Sequence, residues 1–135
     1  MGQEKIITPE EYFQMEETAE YKNEYYHGEI FAMSSASVNH NLIVVNVIAS
    51  LSNALKKSDC FIFPSALKVQ VVKAEHYAYP DISVVCGDIG YGADRDDIIT
   101  NPVVIVEVLS ESTKDYDREP NLRHIGKFHL CVIIF

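Results

Sequence analysis

The fold is decided by the stretch at residues 102–109, which reads PVVIVEVL and is the most apolar strand candidate of the chain. A continuous apolar run of this length predicts a central strand that is covered on both faces of its sheet. Glu107 interrupts the run with a carboxylate, and a buried carboxylate costs much free energy unless a cation or hydrogen bonds compensate it. We therefore expect a partner beside Glu107.

A second strand candidate covers residues 80–86, reads PDISVVC and opens on a proline. Asp81 stands at its start, where a carboxylate can project from the end of a sheet toward the neighbouring strand. If the two strands are adjacent, Asp81 and Glu107 can together hold Mg²⁺ or Mn²⁺, which prefer hard oxygen ligands. The residues alone leave a structural interpretation open, with Asp81 as a turn residue and Glu107 bound to an arginine or a backbone donor.

The N-terminal segment predicts a short helix and a hairpin. Thr8 can cap the helix, Pro9 suits its first position, and Glu11 completes a capping box. Residues 25–33 read YYHGEIFAM, in which aromatic residues flank a His-Gly turn. This pattern predicts a β-hairpin in which Gly28 adopts a positive φ.

A longer helix is predicted from a cap at Ser37 to about Lys57. Its apolar residues fall on one stripe at helical spacing, and His40 lies one turn before them on the same stripe. The stripe consists of Val44, Val47, Ile48, Leu51 and Leu55.

The remaining pattern predicts strands at 61–63 and 67–72, a polar loop over 87–97, a helix from Thr113 or Asp115, and a last strand at 131–135. Together with the elements above, this order predicts an α/β (α+β) fold. We expect a mixed β-sheet flanked by helices, with an N-terminal helix and β-hairpin.

Composition predicts one domain over residues 1–135, because the chain is 47% hydrophobic and too short for two domains of ordinary size. Its formal net charge of -9 counts against strong nonspecific binding to DNA, which depends on cationic side chains. A nuclease is still compatible with this charge. Carboxylates that bind a metal add negative charge, and only a local group of basic residues has to contact the phosphate.

Three cysteines, Cys60, Cys86 and Cys131, form no CxxC motif and leave one thiol unpaired in any disulfide scheme, which fits a reducing compartment. Cys86 and Cys131 lie in apolar runs, where a buried inert thiol is expected. The N-terminus lacks the pattern of a signal peptide, and no apolar run reaches membrane-spanning length. We therefore expect a cytoplasmic protein without a membrane partner.

Two motifs carry a family resemblance: Tyr79-Pro80-Asp81, and EVLSEST at residues 107–113. Together with the hairpin, His40 and Asp117-Arg118, in this order along the chain, they resemble the Uma-type family of putative restriction endonucleases. That family belongs to the PD-(D/E)XK nuclease superfamily.

The resemblance implies a restriction-endonuclease-like core and a metal-dependent endonuclease that hydrolyses phosphodiester bonds in DNA. It implies that Asp81 and Glu107 coordinate Mg²⁺ (or Mn²⁺) with the carbonyl of Val108. It also matches Glu29 to an acidic position in the hairpin, and His40 to a histidine that orients a phosphate or a water. A solvated Glu29 and a packed, hydrogen-bonded His40 are the alternative interpretations. A homodimer is expected by analogy, because cutting two strands usually takes two active sites.

The chain departs from the superfamily motif at Leu109, which occupies the position of the motif lysine. The basic residue must then come from elsewhere, with Lys68 as the first candidate before Lys114 and Lys127. The chain also stops at Phe135, which predicts a C-terminally shortened form. These departures leave a second hypothesis open: a catalytically inactive nuclease-like module for binding or assembly.

Overall fold

The computed structural model describes residues 6–33, 36–72, 75–110 and 128–134. Helices and strands are both present among these residues, which confirms the predicted α+β class. The elements are α1 (Pro9–Thr18), β1 (Asn23–Tyr26), β2 (Glu29–Ala32), α2 (Val38–Ala54), β3 (Cys60–Pro64), β4 (Lys68–Val72), β5 (His76–Ala78), β6 (Ile82–Cys86), β7 (Ile98–Ile99), β8 (Val104–Ser110) and β9 (Phe128–Ile134).

Local sequence signals place α1 and the hairpin as predicted. The Thr8 hydroxyl accepts from the backbone N–H of Glu11, and the Glu11 carboxylate accepts from the backbone N–H of Thr8. The turn between β1 and β2 has positive φ at both His27 (47°) and Gly28 (84°), as a tight hairpin of this kind requires. The positive φ favours glycine at position 28, and a Cβ atom there would also displace the exposed side chain of Ile6, whose Cγ2 atom would lie 2.5 Å away.

The chain divides into two compact units. Unit 1 comprises residues 1–35, 66–79 and 89–101, and unit 2 comprises residues 36–65, 80–88 and 102–135. Unit 1 holds a five-stranded sheet in the order β2-β1-β5-β4-β7, in which only β4 and β7 pair in parallel among the described strands. The expectation of a single domain over residues 1–135 stays a prediction.

The core of unit 1 is aromatic. Tyr12, Tyr25, Tyr77 and Ile98 are buried together, and the rings of Tyr12 and Tyr25 stack with their centroids 5.1 Å apart. The hydroxyl of Tyr12 donates to the carbonyl of Asn23, and that of Tyr25 donates to the carbonyl of Ile7. Each phenol thus buries its ring while satisfying its polar end.

Lys68 is buried in the same unit, with only 4% of its surface exposed. Its ammonium nitrogen lies 4.6 Å from the ring centroid of Tyr12, 5.0 Å from that of Phe13 and 5.7 Å from that of Tyr79. Aromatic faces attract a cation, which partly compensates the loss of water. Desolvation nevertheless lowers the pKa of Lys68 below its ordinary value, although Glu16 acts in the opposite direction.

Unit 2 holds an antiparallel sheet in the order β3-β6-β8-β9. β8 lies between β6 and β9, which confirms the inner position predicted for the stretch at residues 102–109. Helix α2 contacts β3 and β8. Its predicted apolar stripe is half-buried, and the helix ends at Ala54, three residues before the predicted end.

The cysteines differ from the prediction. Cys60 and Cys86 form a disulfide, because the antiparallel register of β3 and β6 places them directly opposite each other. Their separation of 26 residues along the chain carries no signal for this pairing. Cys131 is a free cysteine on β9 and is exposed rather than buried. Apolar composition failed as a guide to burial there, since residues 130–134 of β9 are all exposed.

Two short strands, β5 and β7, were not predicted, because three and two residues are too few to show an alternating pattern. The predicted C-terminal helix from Thr113 or Asp115 lies outside the described residues. Within the described ranges, no helix is both long enough and apolar enough to cross a membrane.

We predict that Lys68→Met changes the pH dependence of stability. The lowered pKa of folded Lys68 means that the unfolded chain binds more protons than the folded chain between that pKa and 10.5. In this window the unfolding free energy of the wild-type chain should rise with pH relative to the variant, by at most about 1.4 kcal/mol per pH unit. Urea unfolding at a series of pH values measures the difference.

Lys22→Met is the matched control, since Lys22 is exposed and its ammonium lies over the same Tyr79 ring at 5.4 Å. The titration should stay below pH 10, the ordinary pKa of tyrosine, because burial raises the pKa of both Tyr12 and Tyr79. Above pH 10 those phenols would lower the stability of the folded chain instead. Parallel pH profiles for wild type and Lys68→Met would contradict the prediction.

Candidate active site at the start of β6

Asp81 lies at the start of β6, beside the backbone of β8. Ile82 pairs with Val106 in the antiparallel ladder, so the same register brings position 81 next to position 107. The Oδ2 atom of Asp81 accepts a hydrogen bond of 2.8 Å from the backbone N–H of Val108. Only 15% of the Asp81 side chain is exposed, so this bond compensates part of the cost of removing a carboxylate from water.

His40 is the second partner of Asp81. Its Nε2 atom lies 3.1 Å from the same Oδ2 atom, and 16% of its side chain is exposed. Its backbone N–H donates to the hydroxyl of the helix cap Ser37, which fixes His40 in the first turn of α2. The sequence placed His40 near the acids only through the family resemblance, and the structure brings it to Asp81.

The position of one ring proton of His40 follows from its surroundings. Nδ1 is buried without a hydrogen-bond partner among the described residues. A carboxylate oxygen accepts hydrogen bonds, so the Nε2 atom that faces Asp81 Oδ2 carries a proton and donates it to Asp81.

Val108 presents its backbone to Asp81. In an extended strand, the N–H and the carbonyl of one residue point to the same side. Because the Val108 N–H bonds to Asp81, the Val108 carbonyl also faces the β6 side of β8. Glu107, its neighbour, is half-buried and pairs with Cys131 of β9. The role of the Val108 N–H as a donor to Asp81 is not visible in the sequence, since a backbone donor leaves no compositional signal.

The other predicted site residues belong to unit 1. Glu29 is exposed on β2 and pairs with Tyr26 across the hairpin, and Lys68 is buried among aromatic rings. Their membership of the acid site stays a prediction. Lys114 and Lys127 lie outside the described residues.

A group of three side chains of types that can bind a metal lies elsewhere in the part of the chain that the structure describes. The ligand atoms of Asp59, Cys60 and Cys86 all lie within 4.8 Å of one another, and no described group of three such residues that includes Asp81 meets this distance. Sequence reasoning missed this cluster, because the two cysteines become neighbours only through the pairing of β3 with β6.

The fold is shared with a solved protein that is described as a putative nuclease. It matches the crystal structure of a putative nuclease belonging to DUF820 from Anabaena variabilis ATCC 29413, with a TM-score of 0.62. The match covers 87% of this chain and 66% of that chain at 22% sequence identity, which shows the fold alone.

The family follows from the sequence. A model of the Uma2 family, described as putative restriction endonuclease, matches residues 9–129. The chain therefore belongs to the Uma2 family, and the resemblance inferred from its motifs is confirmed.

Two curated relatives come from Synechocystis sp. (strain ATCC 27184 / PCC 6803 / Kazusa). The uncharacterized protein slr1290 is 43% identical over 92% of this chain, and the uncharacterized protein sll1609 is 35% identical over 84% of it. The matched regions cover 61% and 64% of those relatives, so the chain spans less than two thirds of the length of the curated relatives it matches.

We predict that Asp81→Ala lowers the unfolding free energy by about 1–3 kcal/mol, because the Val108 N–H and the His40 Nε2–H both lose their acceptor. Asp81→Asn is the matched variant and should lose less, since its amide oxygen can still accept from Val108. Chemical denaturation followed by circular dichroism measures both. Equal stability of wild type and Asp81→Ala would show that these two hydrogen bonds contribute nothing net.

Proposed function

We propose that this chain is a metal-dependent endonuclease that hydrolyses phosphodiester bonds in DNA. The observation that carries the proposal is the hydrogen bond from the Val108 N–H to Asp81 Oδ2, at 2.8 Å. It joins the two sequence motifs of the family at one place in unit 2. Membership of a family described as putative restriction endonuclease supports the same reaction class.

The donor set suits a hard cation. Asp81, Glu107 and the Val108 carbonyl offer oxygen atoms alone, which are the ligands that Mg²⁺ and Mn²⁺ prefer. Both hydrogen bonds of Asp81 to described residues end on Oδ2, so Oδ1 is the oxygen left for a cation. When bound, the cation lowers the pKa of its water and stabilises the negative charge that develops on phosphate.

Three groups of the chain prepare this site. The Nε2–H of His40 and the N–H of Val108 fix the orientation of the Asp81 carboxylate, as a hydrogen-bonded outer shell does for metal ligands. Glu107 supplies a second carboxylate from β8, next to the carbonyl of Val108. In the reaction, a water molecule attacks phosphorus and one P–O bond of the backbone breaks.

DNA is the proposed partner, although the chain carries a net charge of -9. A divalent cation on two carboxylates offsets part of that charge where phosphate must approach. Further phosphate contacts would come from the basic residues of the C-terminal part, namely Lys114, Arg118, Arg123 and Lys127. The homodimer and the cytoplasmic location are parts of the same proposal.

A second candidate function is a nuclease-like module that binds metal or DNA without cleavage. Leu109 favours this second candidate, because it stands at the motif position of the lysine and its side chain carries no positive charge. The side chain of Leu109 is 49% exposed. Lys68 would be a poor substitute, since its ammonium is enclosed by aromatic rings.

The test is nicking of supercoiled plasmid by the purified chain with Mg²⁺ or Mn²⁺. Glu107→Gln and Asp81→Asn should each abolish nicking, because they remove a carboxylate charge while keeping the shape of the side chain. His40→Ala should reduce the rate by about 10–100-fold, as expected for a residue that orients a ligand. Addition of a chelator should stop the reaction.

Asp88→Asn is the charge-matched control, because it removes an exposed carboxylate that lies beyond the opposite end of β6. It should nick like wild type. Nicking that survives both Glu107→Gln and Asp81→Asn would overturn the proposed function. Calorimetric binding of Mg²⁺ that Glu107→Gln abolishes, without any nicking by wild type, would establish the second candidate instead.

A further inference from the structure

The second cluster of metal-ligating side chains lies at the far end of β6 from Asp81. Cys86 is the last residue of β6, Cys60 is the first residue of β3, and the two are joined by a disulfide with their Cα atoms 3.9 Å apart. Asp59 precedes β3, and its Oδ1 atom lies 4.0 Å from the sulfur of Cys60. Three side chains that can bind a metal therefore converge at one end of the β3–β6 pair.

A backbone hydrogen bond keeps Asp59 close to the two cysteines. The N–H of Gly87 donates to the carbonyl of Asp59 at 3.1 Å, which extends the β3–β6 pairing by one residue beyond the cysteines. Gly87 has a φ of 78°, and a Cβ atom on it would lie 3.7 Å from Oδ2 of Asp59. The position of Asp59 beside the cysteines is thus fixed by main-chain bonds and does not depend on the disulfide alone.

Charge decides which chemical states this cluster can adopt. As two thiolates and a carboxylate, its ligand atoms would place three negative charges within 4.8 Å of one another, on a chain that is already acidic. Such repulsion is relieved by a disulfide, by protonation of the two thiolates, or by a bound cation. In the reduced state a thiophilic cation therefore competes with protons for the two sulfurs.

We propose that, once the Cys60–Cys86 bridge is reduced, Asp59, Cys60 and Cys86 bind a thiophilic divalent cation such as Zn²⁺. Two sulfur ligands and one carboxylate oxygen suit Zn²⁺ and leave the fourth tetrahedral position to water. The same sulfurs disfavour Mg²⁺, so this site is chemically distinct from the all-oxygen site of Asp81 and Glu107. Asp59 is exposed and the cysteines are half-buried, so the ion can reach them from solvent.

A dithiol is the reductant that converts the Cys60–Cys86 disulfide into two thiols. The dithiol gives two electrons and two protons to the S–S bond, becomes a cyclic disulfide, and leaves Cys60 and Cys86 as thiols. On binding, each thiol releases its proton to solvent and its sulfur forms a bond to the metal. The sulfurs must then stand roughly 3.8 Å apart, since each Zn–S bond of a tetrahedral site is about 2.3 Å long. Rotation of the two side chains can supply this separation.

The experiment uses the full chain carrying Cys131→Ser, so that the free exposed cysteine cannot contribute sulfur. The protein is reduced with dithiothreitol, freed of reductant under anaerobic conditions and titrated with Co²⁺, which reports thiolate ligands through a charge-transfer band in the near ultraviolet. We expect one Co²⁺ per reduced chain with this band, its displacement by Zn²⁺, and no band with the oxidised chain.

Variants locate the site. Adding Cys60→Ser and Cys86→Ser together should abolish the band, and adding Asp59→Asn should weaken Co²⁺ binding by at least about tenfold. Asp81→Ala should leave the band unchanged, so that failure of the proposed endonuclease site and failure of this site are distinguished. Circular dichroism before and after reduction checks the fold.

Absence of the band from the reduced chain overturns the proposal, whether or not the chain stays folded. Persistence of the band after both cysteines are replaced overturns it as well, because the thiolate ligands would then lie elsewhere. A band that Asp59→Asn leaves at full affinity would remove Asp59 from the ligand set and reduce the site to the two sulfurs, which contradicts the proposal as stated.

Discussion

The hydrogen bond between the Val108 backbone and the Asp81 carboxylate is the constraint on which the candidate active site depends. β8 is nearly all Val, Ile and Leu, and its Val108 N–H is the donor that meets the carboxylate at the start of β6. The bond ties a side chain at one strand end to the main chain of the next strand. It therefore holds the Asp81 carboxylate beside the backbone of β8, at the register position next to residue 107.

His40 adds a second constraint of a different kind. It reaches Asp81 from a helix, so the same oxygen atom is held by a sheet strand and by α2 at once. The Nε2–H of His40 and the N–H of Val108 together fix the orientation of the Asp81 carboxylate.

Sequence signals that act over a few residues were sufficient to predict much of this fold. Thr8 with Glu11, the His27-Gly28 turn and the Ser37 cap are local devices, and each forms the predicted element. The acid strands were predictable from hydrophobicity and from the family motifs. Contacts between residues that lie far apart in the chain could not be predicted from the sequence.

Two cases illustrate that limit. The burial of Lys68 requires rings from Tyr12 and Tyr79, which are distant in sequence and converge only in the folded unit. The meeting of Cys60 with Cys86 depends on the register of β3 and β6, which no local pattern encodes. In the same way, the family motifs predicted two acids and a carbonyl, but they did not predict the backbone donor that orients Asp81.

The exposed strand β9 has a consequence for handling the protein. Among the described strands it lies at the end of the sheet order of unit 2, and the side chains of Leu130, Val132, Ile133 and Ile134 are all exposed. An apolar strand at a sheet edge offers open backbone donors and acceptors to any other extended chain. Purified at high concentration, the polypeptide should accordingly be prone to aggregate, and a charged residue introduced into β9 should improve its yield in soluble form.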